Sequence, residues 1–227
     1  MRKLLRILAH CVLVSLSTVS LCAQLSDVGT LGSISLSKDF NRYMGATIEQ
    51  ELRFDQLSTS LNRSATSIGA EISMIRRILR AEFGYDLLYR KNKDTSYEFR
   101  HRSSIGLLAQ YKFNRLNYRL RTRMQATFRD ENRGDYRYNP VYVWRNRFEL
   151  RYDVFGSPFT PYLYGEMFCP VNTSYGLFMD GYRISFGTKY KASKRSDFDL
   201  QLRFDQEIQQ PDQENILYCC VGWNYKL

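Results

Sequence analysis

Apolar and polar residues alternate with a period of two along most of this chain. The alternation is clearest at residues 116–129, where one face carries Leu116, Tyr118, Leu120, Thr122, Met124, Ala126 and Phe128 and the other carries Asn117, Arg119, Arg121, Arg123, Gln125, Thr127 and Arg129. Successive side chains of a β-strand point to opposite faces of its sheet. The pattern therefore predicts a long strand with one apolar face and one charged face.

The same alternation recurs along the whole chain. It is clear at residues 99–113, 144–154, 182–190 and 198–204, and weaker at 30–37, 46–56, 64–74, 78–89, 160–168 and 214–227. These segments are eleven candidate strands. Bacterial single-chain membrane barrels have even strand numbers, so we expect ten or twelve: either residues 30–37 do not form a full strand, or one segment contains two.

The connections between these segments alternate in length. Short ones are expected at residues 38–42, around Arg76, and at 114–115, 156–161 and 192–196; longer polar ones are expected at 57–63, 90–97, 130–140 and 169–180. Strands with one apolar face, joined alternately by short turns and long loops, predict an all-β fold, an antiparallel up-and-down transmembrane β-barrel of 10 or 12 strands. A secreted soluble β-sandwich binding module is the alternative, because it would hide the apolar faces between two sheets.

The first residues have the features of a secretory signal peptide. Arg2, Lys3 and Arg6 precede an apolar run that ends before Ala23, after which the chain becomes polar. We predict a signal peptide at residues 1–23, an outer-membrane β-barrel domain at 24–227, and a location in the cell outer membrane of a Gram-negative bacterium. A lipoprotein box ending at Cys22 is less favoured, because Leu21 stands where a small residue is expected.

The composition of the chain indicates which kinds of partner it can bind. The chain has a net charge of +10, of which the predicted signal contributes three basic residues, so the mature protein keeps +7. A secreted chain rarely meets nucleic acid, so we expect no such partner. We expect outer-membrane lipid and lipopolysaccharide as partners, and the barrel-assembly machinery during insertion.

The 17 tyrosines and 14 phenylalanines suit a barrel wall that is apolar along its flank and in contact with water at its ends. Cys169, Cys219 and Cys220 follow the predicted signal, and an odd number excludes a fully paired disulfide framework.

Charged residues at alternate positions are expected to point into the lumen of the barrel. This predicted lumen charge network comprises Glu49, Glu51, Arg53, Glu82, Arg119, Arg121, Arg123, Arg145, Arg147, Glu149, Arg151, Glu166, Arg183, Arg203 and Asp205. The charges either pair across the lumen and plug it, because an unpaired buried charge is costly, or they leave a narrow basic path for small anionic solutes. We expect no cofactor and no metal site, and a role in structure or passive transport.

Two short motifs bear on function. His101 and Ser103 stand on one apolar face and resemble the catalytic pair of an outer-membrane lipid A hydrolase, in which the histidine takes the serine proton. We see no acidic residue to orient the imidazole, so we expect no enzyme activity and keep the hydrolase as an alternative. The last residues resemble the insertion signal of outer-membrane barrels, with Gly222, Tyr225 and Leu227 in the expected places, although Leu227 replaces the usual phenylalanine.

A further set of sequence motifs, taken together, resembles a known family. They are Glu49-x-Glu51-x-Arg53-Phe54, the Arg-x-Arg steps of the central strands, Glu166-x-Phe168, and Arg183 followed by Gly187 and Tyr190. The chain resembles a domain-of-unknown-function family of predicted Gram-negative outer-membrane β-barrel proteins over most of its length. The resemblance implies the fold and the location, and it implies no activity, because the family has none established.

Overall fold

The described residues form a single closed barrel of eleven strands. The computed structural model describes residues 26–92, 95–130, 138–173, 176–208 and 215–227. The predicted signal peptide lies outside the described residues. The strands are β1 (Asp27–Asp39), β2 (Met44–Asp55), β3 (Ser60–Ile75), β4 (Leu79–Lys91), β5 (Tyr97–Phe113), β6 (Leu116–Phe128), β7 (Val141–Tyr152), β8 (Phe159–Pro170), β9 (Gly181–Lys191), β10 (Ser196–Glu207) and β11 (Asn215–Lys226).

The prediction of ten or twelve strands was wrong. Each strand pairs antiparallel with its sequence neighbour, and β1 closes the ring against β11 in parallel. An odd number of alternating strands leaves the first and the last running in the same direction, so the ring can close only through a parallel pair. Residues 30–37 belong to β1, a full strand of 13 residues, and the even-number rule misled because it assumes that both chain ends lie at one rim.

One closed sheet also contradicts the β-sandwich alternative. The alternation predicted from the sequence decides which side chains face the lumen and which face outward. Ile105, Phe148 and Phe186 point outward and are 56%, 53% and 63% exposed. Glu149 and Arg203, on the inward face, are buried. The barrel therefore has an apolar outer wall and a charged interior.

The two rims of the barrel differ in their connections. At one rim, which we call the turn rim, the connections are residues 40–43, 76–78, 114–115, 153–158 and 192–195; at the other, the loop rim, they are 56–59, 92–96, 129–140, 171–180 and 208–214. Residues 131–137 and 174–175 of the two loops predicted at 130–140 and 169–180 lie outside the described residues. The loop expected at residues 57–63 is only four residues long, because β3 begins at Ser60.

The parallel closure of β1 on β11 is held by side chains as well as by the backbone. The Tyr218 hydroxyl passes over Gly29 of β1 and donates to Asp55 of β2 at 2.6 Å. A Cβ at Gly29 would lie 2.6 Å from the Tyr218 ring, so this crossing requires glycine. Ser35 donates to Asn224 at 2.6 Å nearer the turn rim. The closing strands are thus joined at both ends.

Three cysteines lie among the described residues, and all are free. Cys169 is on β8, and Cys219 and Cys220 are on β11. Two strands separate β8 from β11, so the cysteines are about 14 Å apart along the wall, well beyond disulfide reach. The described ranges contain no helix long and apolar enough to cross a membrane.

Candidate functional site: the charged lumen

The interior of the barrel contains a cavity of about 700 Å³. Its lining is mostly charged, with twelve basic and seven acidic residues among those the structure describes. Thirteen of the fifteen residues predicted for the lumen network line it; Glu166 and Asp205 do not, because arginine side chains surround their carboxylates. The cavity has the size of a small-molecule site and an excess of positive charge.

A row of charges in register crosses five adjacent strands on one side of the lumen. Arg121 pairs in register with Arg147, Arg147 with Glu166, Glu166 with Arg183, and Arg183 with Asp205. Cross-strand neighbours on one face lie about 5 Å apart, which is within reach of an arginine and a carboxylate. We call these five residues the charged ladder.

Glu166 is the centre of the charged ladder. Its side chain is only 1% exposed and accepts from Arg145 at 2.8 Å and from Arg147 at 2.9 Å. Arg183 and Arg121 approach it at 3.4 and 3.6 Å. One carboxylate therefore faces four guanidinium groups. Because a carboxylate carries a single charge, this group of side chains keeps a surplus of positive charge.

Asp205 extends the network to the closing strands. Arg183 binds it through two nitrogens, at 2.7 and 2.8 Å. Arg203 lies 3.1 Å from it, and Arg53 of β2 reaches it across the closure at 3.9 Å. Arg53 and Arg203 also lie over the ring of Tyr218, at 5.0 and 4.8 Å from its centroid, so cations and an aromatic ring fill this side of the lumen.

A glycine allows another long-range pair. Arg123 of β6 reaches Glu82 of β4 at 2.9 Å and passes over Gly106 of β5, which lies in register between them. A Cβ at Gly106 would lie 2.7 Å from the Thr122 carbonyl oxygen and 3.2 Å from Arg123 Cβ. The absence of a side chain at this position keeps β5 and β6 close and leaves the path open.

The remaining predicted residues also face the lumen. Glu149 binds Arg119 at 3.1 Å and also contacts Arg151. Glu51 contacts Arg63 closely and lies 3.7 Å from Arg53. Glu49 lines the cavity and forms no ion pair within the described ranges.

The arginines of the lining are most frequent on β6 and β7, while its carboxylates lie mainly on β2, β3 and β4. Buried guanidinium nitrogens without a hydrogen-bond acceptor occur in the described part of the chain at Arg53, Arg119, Arg123, Arg147 and Arg203. A buried donor without a partner is costly. An anion that entered the lumen would offset the excess positive charge of the lining.

Sequence reasoning missed several lumen residues. Arg63, Asp86, Arg102, Lys189 and Asp199 also line the cavity. Arg102 binds Asp86 at 2.6 Å, and Lys189 lies 3.5 Å from Asp199. The same period-two signal could have found Asp86, Arg102, Lys189 and Asp199, because each occupies the charged face of a predicted strand. Arg63 was missed because it fell in the loop predicted at residues 57–63, whereas β3 begins at Ser60.

His101 and Ser103 lie on the outer wall. The imidazole Nδ1 of His101 is 2.6 Å from the hydroxyl oxygen of Tyr85 on β4. No hydrogen bond joins His101 to Ser103 in the described structure. The group that orients the imidazole is therefore a phenol rather than an acid.

The predicted insertion signal belongs to β11 and the residue after it. Gly222 is buried on the inner face, where a Cβ would lie 3.0 Å from the Ser33 hydroxyl. Trp223 and Leu227 point outward and are exposed. The outer face of the last strand is thus apolar and aromatic up to the turn rim.

Comparison with known protein families gives one match for this chain. A family model described as "Protein of unknown function (DUF2490)" matches residues 28–215, from β1 through β10 to the first residue of β11. The chain belongs to the DUF2490 family. This confirms the resemblance to a domain-of-unknown-function family.

Similarity to solved structures supports the fold of this DUF2490 protein. A structure described as "Bacterial polysaccharide outer membrane secretin" matches with a TM-score of 0.50 and 14% identity, over 79% of this chain and 63% of that one. The chain thus spans less than two thirds of that structure, and the similarity concerns the fold alone. No curated protein matches the chain.

Proposed function

We propose that this DUF2490 protein is an integral outer-membrane β-barrel whose lumen admits and binds small anions. The outer wall carries the membrane part of the proposal. A water-soluble protein rarely exposes a contiguous apolar patch of more than about a few hundred Å², whereas here outward apolar side chains occur on every strand. The strands are 11 to 17 residues long, and about 9–11 tilted residues cross a bilayer.

The chain's features favour the outer membrane. The predicted signal peptide would export the chain. The apolar outer face of β11, with the predicted insertion signal Gly222, Tyr225 and Leu227, is a surface for the barrel-assembly machinery. The structural neighbour is itself described as an outer-membrane protein. Lipid and lipopolysaccharide would then surround the apolar wall.

The surplus of guanidinium groups carries the anion part of the proposal. Six arginines contact the two carboxylates of Glu166 and Asp205, and the cavity lining as a whole has more basic than acidic residues. Rings of basic side chains favour anions in pores. Low-dielectric walls concentrate that field inside the lumen.

Ion selectivity tests the proposal. The purified barrel, inserted in a planar bilayer under a salt gradient, should give a reversal potential of the sign that anion preference requires. Replacing Arg119, Arg121 and Arg123 of β6 with glutamine should shift that potential toward zero. The matched control replaces Arg76, Arg77 and Arg115 of the turns with glutamine, which makes the same change in charge outside the lumen.

Two results would contradict the anion proposal. They are a preference for cations, and an inserted barrel that carries no current and retains no phosphate in a binding assay. The second result would favour a lumen plugged by its own ion pairs, and it would leave the membrane barrel standing.

A further inference from the structure

Exposed cations surround the turn rim. They are Lys38, Arg42, Arg76, Arg77, Lys112, Arg115, Lys191, Lys194, Arg195 and Lys226. We call these ten residues the turn collar. The acidic side chains at this rim of the described barrel that are not buried are Asp39, Asp153 and Asp197. The turn rim therefore carries a large excess of positive charge.

Ion pairs neutralise only a small part of the turn collar. Lys226 binds Asp39 at 2.6 Å, and Lys112 lies 3.3 Å from Asp153. The other eight cations pair with no carboxylate in the ranges that the structure describes. Arg115 instead lies 5.1 Å from the centroid of the Phe155 ring, which is 83% exposed. Eight exposed cations are thus available to an outside partner.

The loop rim has a different balance. Its described cations that are not buried are Arg90, Lys91 and Arg129, and its described carboxylates that are not buried are Asp27, Asp130, Asp180 and Glu207. Charge is therefore polarised along the barrel axis. A general need for solubility would not concentrate the described cations at the turn rim.

Exposed aromatic side chains lie beside the turn collar. Phe40, Phe113 and Phe155 are 64%, 57% and 83% exposed, and each lies within two or three residues of a collar cation or under one. Aromatic rings favour the boundary between hydrocarbon and headgroups of a bilayer. The collar cations would then be at the depth of the headgroup phosphates.

We propose that the turn collar binds the phosphate headgroups of anionic phospholipids in the leaflet at the short turns. The inference rests on the proposed membrane barrel. Guanidinium groups match phosphate geometry, and basic residues close to an anionic leaflet bind it electrostatically. Short turns of outer-membrane barrels face the periplasm, so the partner is phospholipid of the inner leaflet and not the lipopolysaccharide of the outer one.

Lipid selectivity tests the collar. The mature protein is folded into vesicles of phosphatidylcholine, alone or with a minor fraction of phosphatidylglycerol, and the lipids that remain bound after extraction are counted by native mass spectrometry. The wild-type barrel should retain phosphatidylglycerol in preference to phosphatidylcholine. Arg76→Gln with Arg77→Gln should lower that preference by about fivefold per cation. Lys91→Gln with Arg129→Gln makes the same change in charge at the loop rim and should leave the preference unchanged.

Heat-modifiable gel migration in the same samples separates failure of the collar from failure of the barrel. A barrel that folds in phosphatidylcholine yet binds both lipids equally would overturn the collar alone. Equal losses from the two variant pairs would do the same, as would a preference for added lipid A over phosphatidylglycerol. A chain that inserts into neither kind of vesicle would overturn the membrane barrel and the collar with it.

Discussion

Among single residues, Glu166 shows best how a lumen lined with charges can be stable. Its carboxylate, which is 1% exposed, lies among four arginines that would otherwise repel one another. Removing one member of a buried ion network leaves its partners uncompensated, which costs more than the pair contributes. Arg121 and Arg147 of the charged ladder therefore depend on this one carboxylate, whereas Arg183 also binds Asp205.

Glu166→Gln should lower the free energy of unfolding by about 3 kcal/mol, because four buried guanidinium groups lose their shared negative charge. Equilibrium urea unfolding of the barrel in lipid vesicles measures this. Glu71→Gln is the control, since Glu71 is 43% exposed and pairs only with Arg80 among the described residues, and it should cost about 1 kcal/mol or less. Equal losses in both variants would show that Glu166 has no central role.

The inward position of the site residues could be predicted from the sequence, whereas their partners could not. A period of two assigns Arg183 and Glu166 to the charged faces of their strands without any knowledge of the fold. Their contact depends on the register between β8 and β9, which a one-residue shift would abolish. The contact of Arg53 with Asp205 also requires the ring to close through β1 and β11, and no local pattern encodes this.

At the scale of elements, Gly106 of β5 allows the two neighbouring strands, β4 and β6, to be joined by an ion pair. Its missing side chain lets β6 approach closely and lets Arg123 reach Glu82 on β4. A glycine within a strand usually weakens it. Here the loss is offset by an ion pair that ties three strands together.

Gly106→Ala should destabilise the barrel by about 1–3 kcal/mol, because the new Cβ would meet backbone atoms of β6. Gly165→Ala on β8 is the control: an added Cβ there would meet nothing within 4 Å, and reduced freedom of the unfolded chain should leave stability unchanged or raise it by about 0.5 kcal/mol. Urea midpoints of the two variants give the comparison. If both variants matched the wild type, the close approach at Gly106 would carry no energetic weight.

The positions of the strands could be predicted from the sequence, but the way in which the barrel closes could not. The alternating segments numbered eleven, and the structure has a strand at each of them. The expected even number came from a general rule for bacterial barrels, and the parallel pairing of β1 with β11 departs from it. Apolar and polar alternation specifies the faces of strands, but it carries no information on whether the first and last strands meet in parallel.

At the scale of the whole molecule, an odd strand number places the start of β1 and the end of β11 at opposite rims. β1 begins at the loop rim, and β11 ends at the turn rim. In a barrel of ten or twelve strands, both ends would lie at one rim. The strand count therefore predicts that the start of β1 and the end of β11 lie on opposite sides of the membrane.

Epitope tags inserted immediately before Ser26 and after Leu227 should lie on opposite sides of the outer membrane. In intact cells an antibody should reach the tag before Ser26, at the loop rim, and should reach the other tag only after permeabilisation. A tagged outer loop of a known porin serves as the control for cell integrity. Labelling of both tags in intact cells, or of neither, would contradict the parallel closure.

Heat-modifiable migration of the protein recovered from cell fractions tests most directly whether this chain crosses the outer membrane as a closed barrel. We expect recovery in the outer-membrane fraction and faster migration of the unboiled sample than of the boiled one, because a closed barrel resists unfolding by detergent and stays compact. A soluble periplasmic protein whose migration is unchanged by boiling would show that the chain is not a membrane barrel.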